Sequence, residues 1–342
     1  MTERKYDLVD LFKLIASILV FTMHMEALKS LGSDVHFYSI ELLSRWGVPF
    51  FFITSSFLLF QKSQNGNITK DVLMNYIKRI ALLYLVWFIF NLPQVAYYHI
   101  IVSGITNVET YLMLAKKLLF SSSFTGSWYL TSSIFSACFV YLLCKKISTK
   151  ATLIISSVLY MVCILTSAYG RIIPEGVIAN INQYFAIPAN SIICGCFFFA
   201  LGKYLAENKH ILEKISIKLC VAGVAIFGIL YYLEIALAKN SGWLISSDAS
   251  VFVVPWALFI VFLCLKSNCK LKYSTQMRKL STVIYCSQGL LMLAAKFICE
   301  IILSITNTLI IYAVGATMVA ACCFVVLLLQ KKTKFKWCRY LT

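Results

Sequence analysis

Residues 8–28 read LVDLFKLIASILVFTMHMEAL, an apolar stretch that is long enough to cross a lipid bilayer but carries ionisable side chains. Lys13 and His24 are eleven residues apart, a rotation of three helical turns plus about 20°, so one helix would carry both on the same face. Asp10 precedes Lys13 by three residues and joins that face. Charged groups at membrane depth are costly and normally point into a protein interior or a wet cavity. Asp10, Lys13 and His24 are therefore the candidate catalytic residues.

The composition of the whole chain supports a membrane protein. Of 342 residues, 60% are hydrophobic and only 13% are charged, against about a quarter charged in a soluble domain. The sequence predicts a polytopic all-α bundle of about ten transmembrane helices. The predicted spans are 8–27, 46–61, 76–98, 127–144, 151–168, 189–206, 217–237, 251–265, 281–299 and 307–330.

The formal net charge of +17 reflects topology. The basic residues concentrate in alternate segments between the spans, and the positive-inside rule then places both termini in the cytoplasm. This distribution argues against nucleic-acid binding. The thirteen cysteines have no paired spacing typical of metal ligands, so no metal site is predicted, and most fit the role of small buried hydrophobic residues.

The predicted topology gives the first helix a direction. Asp10 and Lys13 fall in its cytoplasmic half, and His24 lies about 16 Å further out. An imidazole can take a proton from a hydroxyl and return it, as general base catalysis requires. Alternatively, His24 could simply hydrogen-bond a neighbouring helix, and Lys13 could extend to the inner interface or pair with Asp10.

A second informative stretch, residues 45–60, reads RWGVPFFFITSSFLLF. Arg45 is a candidate for binding an anionic or sugar substrate, and a solvated interfacial arginine is the equal alternative. Ser55 and Ser56 supply hydroxyl groups, or the small volume that lets helices approach closely. Near the end of the chain, Lys296 and Glu300 are spaced to pair along one helix face.

These stretches resemble a large family of integral-membrane acyltransferases, acyltransferase-3. Its signature begins with a basic residue and a histidine separated by ten residues, here Lys13 and His24. Further resemblance lies in the blocks 48–57 (VPFFFITSSF), 128–130 (WYL) and 197–202 (FFFALG). The resemblance extends over essentially the whole chain. It implies a membrane domain at 1–330, followed by a basic cytoplasmic tail at 331–342 that could meet a cytoplasmic partner.

The resemblance also implies a function. Members move acyl groups, usually acetyl, from cytoplasmic acyl-CoA to hydroxyls of extracytoplasmic glycans and related cell-envelope acceptors. In that scheme His24 activates the acceptor hydroxyl, Lys13 and Arg79 hold the phosphates of acetyl-CoA, and Asp10 orients Lys13. The acyl or acceptor region would be lined by Arg45, Ser55, Trp128 and Tyr129. The expected setting is the bacterial plasma membrane, with the bilayer, acyl-CoA and the acceptor as partners and no permanently bound cofactor.

The chain departs from the usual family pattern at three points. Lysine stands at position 13 where arginine is usual, and Gly126, Ser127 and Gln288 occupy positions where many members carry histidine. A subset of the family forms the membrane half of the serine racemases of vancomycin resistance, and residues 126–135 (GSWYLTSSIF) are similar to it. This second resemblance implies the alternative function, transport of a small amino acid such as L-serine.

Overall fold

The computed structural model describes residues 6–62, 68–102, 122–185, 187–331 and 341–342. Throughout these ranges the chain is helix, turn or irregular, and none of the described residues forms a strand. The prediction of an all-α protein is therefore confirmed. Residues 332–340 of the predicted basic tail lie outside the described ranges, as does most of the connection between the predicted spans 76–98 and 127–144.

The described residues form a succession of α-helices, as expected for a membrane bundle. In chain order they are α1 (Asp7–His24), α2 (Ser33–His36), α3 (Leu42–Ser44), α4 (Gly47–Phe60), α5 (Lys70–Phe90), α6 (Leu92–Ala96), α7 (Trp128–Cys144), α8 (Thr149–Leu165), α9 (Glu175–Phe185), α10 (Ile192–Glu207), α11 (His210–Lys214), α12 (Ile217–Asn240), α13 (Val253–Lys266), α14 (Ser274–Lys296) and α15 (Thr308–Lys331). Within the described ranges three segments are π-helical, Phe37–Glu41, Tyr97–Val102 and Phe297–Ile302.

Five helical runs in the described ranges are long and apolar enough to cross a membrane. They are Ser33–Phe60, Lys70–Phe90, Ile217–Asn240, Ser274–Ile302 and Thr308–Lys331. Three shorter apolar helices are α7, α8 and α13. The chain is thus a multi-pass membrane protein, while the number of ten spans and the cytoplasmic position of both termini stay predictions.

The chain divides into two compact units. The first unit comprises residues 1–9, 45–78 and 131–272, and its core is the contact between α4 and α10. A Cβ at Gly202 would overlap the Ile53 carbonyl oxygen, so only glycine allows this approach. The Ser56 hydroxyl, which is fully buried, donates to the Phe199 carbonyl. The blocks 48–57 and 197–202 therefore serve helix packing.

A carboxylate on α12 fixes the loop that leads into α13 in the first unit. Glu234 accepts hydrogen bonds from the backbone N–H groups of Val251 (2.8 Å) and Phe252 (2.9 Å). It also accepts one from the Tyr169 hydroxyl at 2.9 Å. These N–H groups precede the first turn of α13, where the partial positive charge of the helix terminus favours a carboxylate. Glu234 is therefore a capping group for α13.

The second unit comprises residues 10–44, 79–130 and 273–342. In it α1 contacts α14 through the hydroxyl groups of Ser17 and Ser281, which are 2.7 Å apart. Both hydroxyls also lie within hydrogen-bond distance of the Lys13 carbonyl, which accepts from the one that does not donate to the other serine. On α15, the Tyr312 hydroxyl lies 3.2 Å from that of Thr22. Small and hydroxylated side chains thus hold α1 against its neighbours, as is common between membrane helices.

The predicted pairing of Lys296 with Glu300 is wrong. Neither residue forms an ion pair within the described part of the chain. α14 ends at Lys296 and continues as the π-helix Phe297–Ile302, whose i→i+5 pattern removes the alignment of residues four apart. Lys296 instead interacts electrostatically with Glu26, just after α1.

Candidate functional site

α1 carries the first group of predicted site residues. It is a single α-helix from Asp7 to His24, so Lys13 and His24 are separated by about 16 Å along its axis and share a face. Both side chains are partly buried. This arrangement places an ammonium group and an imidazole on one rigid element.

The structure groups several charged side chains around Lys13. Asp10, Arg79 and Arg278 all lie close enough to interact electrostatically with its ammonium group. Arg79 belongs to α5 and Arg278 to α14, and both are exposed, whereas Lys13 is partly buried. We call Asp10, Lys13, Arg79 and Arg278 the cationic cluster. Three cations and one anion give it an excess of positive charge that suits a polyanionic ligand.

The contact between α1 and α14 explains why this cluster forms. Ser17 follows Lys13 by one turn on α1, and Ser281 follows Arg278 by one turn on α14. Because the two serine hydroxyls are hydrogen-bonded, the turns that carry Lys13 and Arg278 lie side by side. The grouping of Asp10, Lys13 and Arg79 was predicted; Arg278 was not, since the sequence showed it only as one of several basic residues in a loop.

His24 is the last residue of α1. The chain turns sharply two residues later, where Glu26 has a positive φ of 52°, unusual for a residue with a side chain. Glu26 pairs with Lys29 at 2.8 Å. His24 therefore lies at the C-terminal end of α1, next to the turn that follows, whereas the cationic cluster lies near the N-terminal end of the same helix.

Arg45 and Ser55 lie in the first unit. The Arg45 guanidinium donates to the Ser247 hydroxyl at 2.9 Å and forms an ion pair with Asp248. Arg45 is thus held by the 241–252 loop, and the alternative of a merely solvated arginine does not describe it. Ser55 is on α4 and is partly buried.

Trp128 and Tyr129 begin α7, and the structure connects Tyr129 to α14 in the second unit. The Tyr129 ring packs edge-on against the Tyr285 ring, with centroids 5.8 Å apart. The Tyr285 hydroxyl donates to the Gly126 carbonyl at 3.0 Å.

The same region of the second unit contains a polar cluster that the sequence analysis missed. Its members, all uncharged, are Asn91, Gln94, Thr125, Gly126, Tyr285 and Gln288. Isolated amide residues within the apolar stretches 76–98 and 281–299 were the available signal, because polar groups inside spans are unusual. Only the folded chain shows that they meet.

The fold defines a multi-pass helical membrane protein whose first helix carries a cluster of charged side chains. A sequence profile described as an acyltransferase domain matches residues 6–328. The chain therefore belongs to the acyltransferase-3 family, as its motifs predicted.

Two curated relatives are similar to the chain, both named amino-acid racemase and both from Enterococcus faecalis. One is 27% identical over 221 residues, 63% of this chain and 30% of the relative. The other is 25% identical over 343 residues, 96% of this chain and 46% of the relative. The chain thus spans less than half the length of these relatives. No solved structure matches the chain.

Proposed function

We propose that the protein is a membrane O-acyltransferase that moves an acyl group, most simply acetyl, from cytoplasmic acyl-CoA to a hydroxyl of a cell-envelope acceptor. The observation that carries the proposal is the cationic cluster at one end of the helix whose other end holds His24. Membership in the acyltransferase-3 family supports the same reaction class.

The cationic cluster supports binding of the acyl donor. The exposed guanidinium groups of Arg79 and Arg278 can each form two parallel hydrogen bonds to a phosphate, and Lys13 adds a compact charge. Asp10 is near enough to orient Lys13. Lys13 and His24 are about 16 Å apart along α1. In the proposal the extended arm of CoA spans this distance, so that the phosphates lie at Lys13 and the thioester lies near the imidazole.

The chemistry requires one proton transfer at His24. In the proposed step the imidazole takes the proton of the acceptor hydroxyl, and the hydroxyl oxygen attacks the thioester carbonyl carbon. The carbon–sulfur bond breaks, an ester forms, and the proton passes to the departing thiolate, giving free CoA. General base catalysis of this kind contributes about 10²–10⁴-fold to a rate.

The test measures transfer of labelled acetyl groups from acetyl-CoA to membrane-associated acceptors. His24→Ala should lower the rate at least about 100-fold, whereas His210→Ala, which removes an exposed histidine of α11, should leave it unchanged. Lys13→Ala and Arg278→Ala should chiefly raise the KM for acetyl-CoA. Full activity of the His24→Ala variant would refute the proposed role.

The names of the two relatives favour amino-acid uptake as a second candidate function. Since the chain spans less than half their length, a membrane portion that supplies a substrate to a separate racemase portion is a consistent alternative. Purified protein in liposomes would then accumulate labelled L-serine without any acyl-CoA. Accumulation of this kind, with no acetyl transfer, would favour transport over the acyltransferase.

A further inference from the structure

A buried amide on α14 has no hydrogen-bond partner among the described residues. Gln288 is 0% exposed, and neither its Nε2 nor its Oε1 is paired with any residue that the structure describes. It lies in the middle of the apolar run Ser274–Ile302, where water is scarce. Buried polar groups are nearly always paired, so an unpaired amide at this depth calls for a specific explanation.

Two amide side chains near Gln288, those of Asn91 and Gln94, have structural roles because both are hydrogen-bonded. The Asn91 Nδ2 donates to the Cys286 carbonyl at 3.1 Å, and its Oδ1 accepts from the Leu290 N–H at 3.0 Å. The Gln94 Nε2 donates to the Thr125 hydroxyl at 2.7 Å. Both side chains thus connect elements of the polar cluster, whereas Gln288 bonds no residue in the described ranges.

The backbone facing Gln288 is shaped for close approach. Gly126 has a φ of +83°, a conformation that favours glycine, and a Cβ there would lie 2.8 Å from the Gln288 Nε2. The 122–127 turn that contains Gly126 is held to its surroundings by Thr125, through Gln94, and by the Tyr285 hydroxyl. The turn also rests on Tyr84, through the Ser123 hydroxyl at 2.9 Å and the stacked Phe124 ring. Gln288 is therefore covered by this turn, and a ligand would reach the amide only if the turn moved.

We propose that Gln288 binds the acyl acceptor, and that this acceptor is an uncharged compound with neighbouring hydroxyl groups, such as a sugar ring. The Oε1 accepts a hydrogen bond from one hydroxyl, and the Nε2 donates to the oxygen of the next. All members of the polar cluster are uncharged, and a zwitterion would need counter-charges at this depth. The identity of the ligand as an acyl acceptor rests on the proposed function.

The experiment separates binding from catalysis and from folding. The purified protein in detergent is titrated with methyl glucoside, an uncharged probe with neighbouring hydroxyls, and in parallel with L-serine. Binding is followed as a rise in the thermal unfolding midpoint. The matched variants are Gln288→Met, Asn91→Leu and Gln330→Met. Gln330 lies at the end of α15 and bonds Lys279, away from the polar cluster.

The expected result is binding of methyl glucoside by the native protein, weakened about tenfold or more by Gln288→Met and unchanged by Gln330→Met. Without ligand, Gln288→Met should unfold at the native temperature or above, since it removes an unpaired amide, whereas Asn91→Leu should unfold at a lower temperature.

Three results would overturn the inference: a preference for L-serine, unchanged glucoside binding by Gln288→Met, or a midpoint for that variant as low as that of Asn91→Leu. Acetyl transfer from labelled acetyl-CoA is measured on the same samples. Glucoside binding without transfer would refute the proposed function and leave the binding site standing. If the Gln288→Met variant transfers acetyl groups with an unchanged KM for the acceptor, the proposed role of Gln288 is refuted and the proposed function stands.

Discussion

Replacement of Glu234 by alanine should destabilise the first unit more than loss of the Tyr169 hydrogen bond alone. The change removes the acceptor for the backbone N–H groups of Val251 and Phe252 and for the Tyr169 hydroxyl. Hydrogen bonds to charged groups contribute about 1.5–3 kcal/mol each. Val251 is exposed, so water replaces part of the loss, and we expect about 2–4 kcal/mol in the free energy of unfolding.

The measurement is chemical unfolding in detergent micelles, followed by tryptophan fluorescence. Tyr169→Phe, which removes one of the three bonds, should cost about 1.5 kcal/mol, and Glu234→Gln, which retains one acceptor oxygen, should fall between the two. If Glu234→Ala is no less stable than Tyr169→Phe, the two backbone contacts contribute nothing and the capping argument fails.

The same substitution has an effect beyond stability. Glu234 holds the end of the 241–252 loop, and that loop supplies Ser247 and Asp248 to Arg45. Loss of the cap should therefore free the Arg45 guanidinium. If Arg45 binds substrate as predicted, Glu234→Ala should change the KM of the acceptor, although Glu234 itself lies outside the predicted site.

Three further predictions concern packing and pH. Gly202→Ala should destabilise by about 1–3 kcal/mol because its Cβ would meet the backbone oxygen of Ile53, and thermal unfolding measures this. Gly315→Ala should cost less than about 1 kcal/mol, because its Cβ meets the flexible end of Met25. Burial and the Glu234 carboxylate raise the pKa of Tyr169 from 10.0 to about 12. The stabilisation from this hydroxyl is therefore complete below pH 10 and lost as pH rises through 12. Tyr169→Phe should unfold with a weaker dependence on pH in that window; equal slopes in both proteins would contradict the assignment.

The sequence predicted the features that depend on one continuous segment. The joint face of Lys13 and His24 followed from helical geometry alone, and α1 is continuous between them. Family motifs correctly identified the chain as an acyltransferase-3 protein. The family blocks 48–57 on α4 and 197–202 on α10 could be identified for the same reason, because each is a short local sequence pattern.

Features that join distant segments could not be predicted. The Ser17 and Ser281 hydroxyls are separated by 264 residues along the chain, and no spacing rule relates them, so Arg278 was not recognised as a neighbour of Lys13. The pairing of Lys296 with Glu300 failed for a different reason. The spacing rule assumed α geometry, and the sequence contains no simple signal that the helix becomes π-helical after Lys296.

The π-helical segments have a consequence for how this chain tolerates insertions and deletions. Every π segment in the described ranges, Phe37–Glu41, Tyr97–Val102 and Phe297–Ile302, belongs to the second unit. A π turn accommodates one residue more than the α pattern needs. Removing one residue from Phe297–Ile302 would restore α geometry and absorb the change locally. The same deletion inside α14 would rotate every later residue of that helix by about 100°. Single-residue insertions and deletions should therefore be tolerated better in the π segments than inside the α-helices.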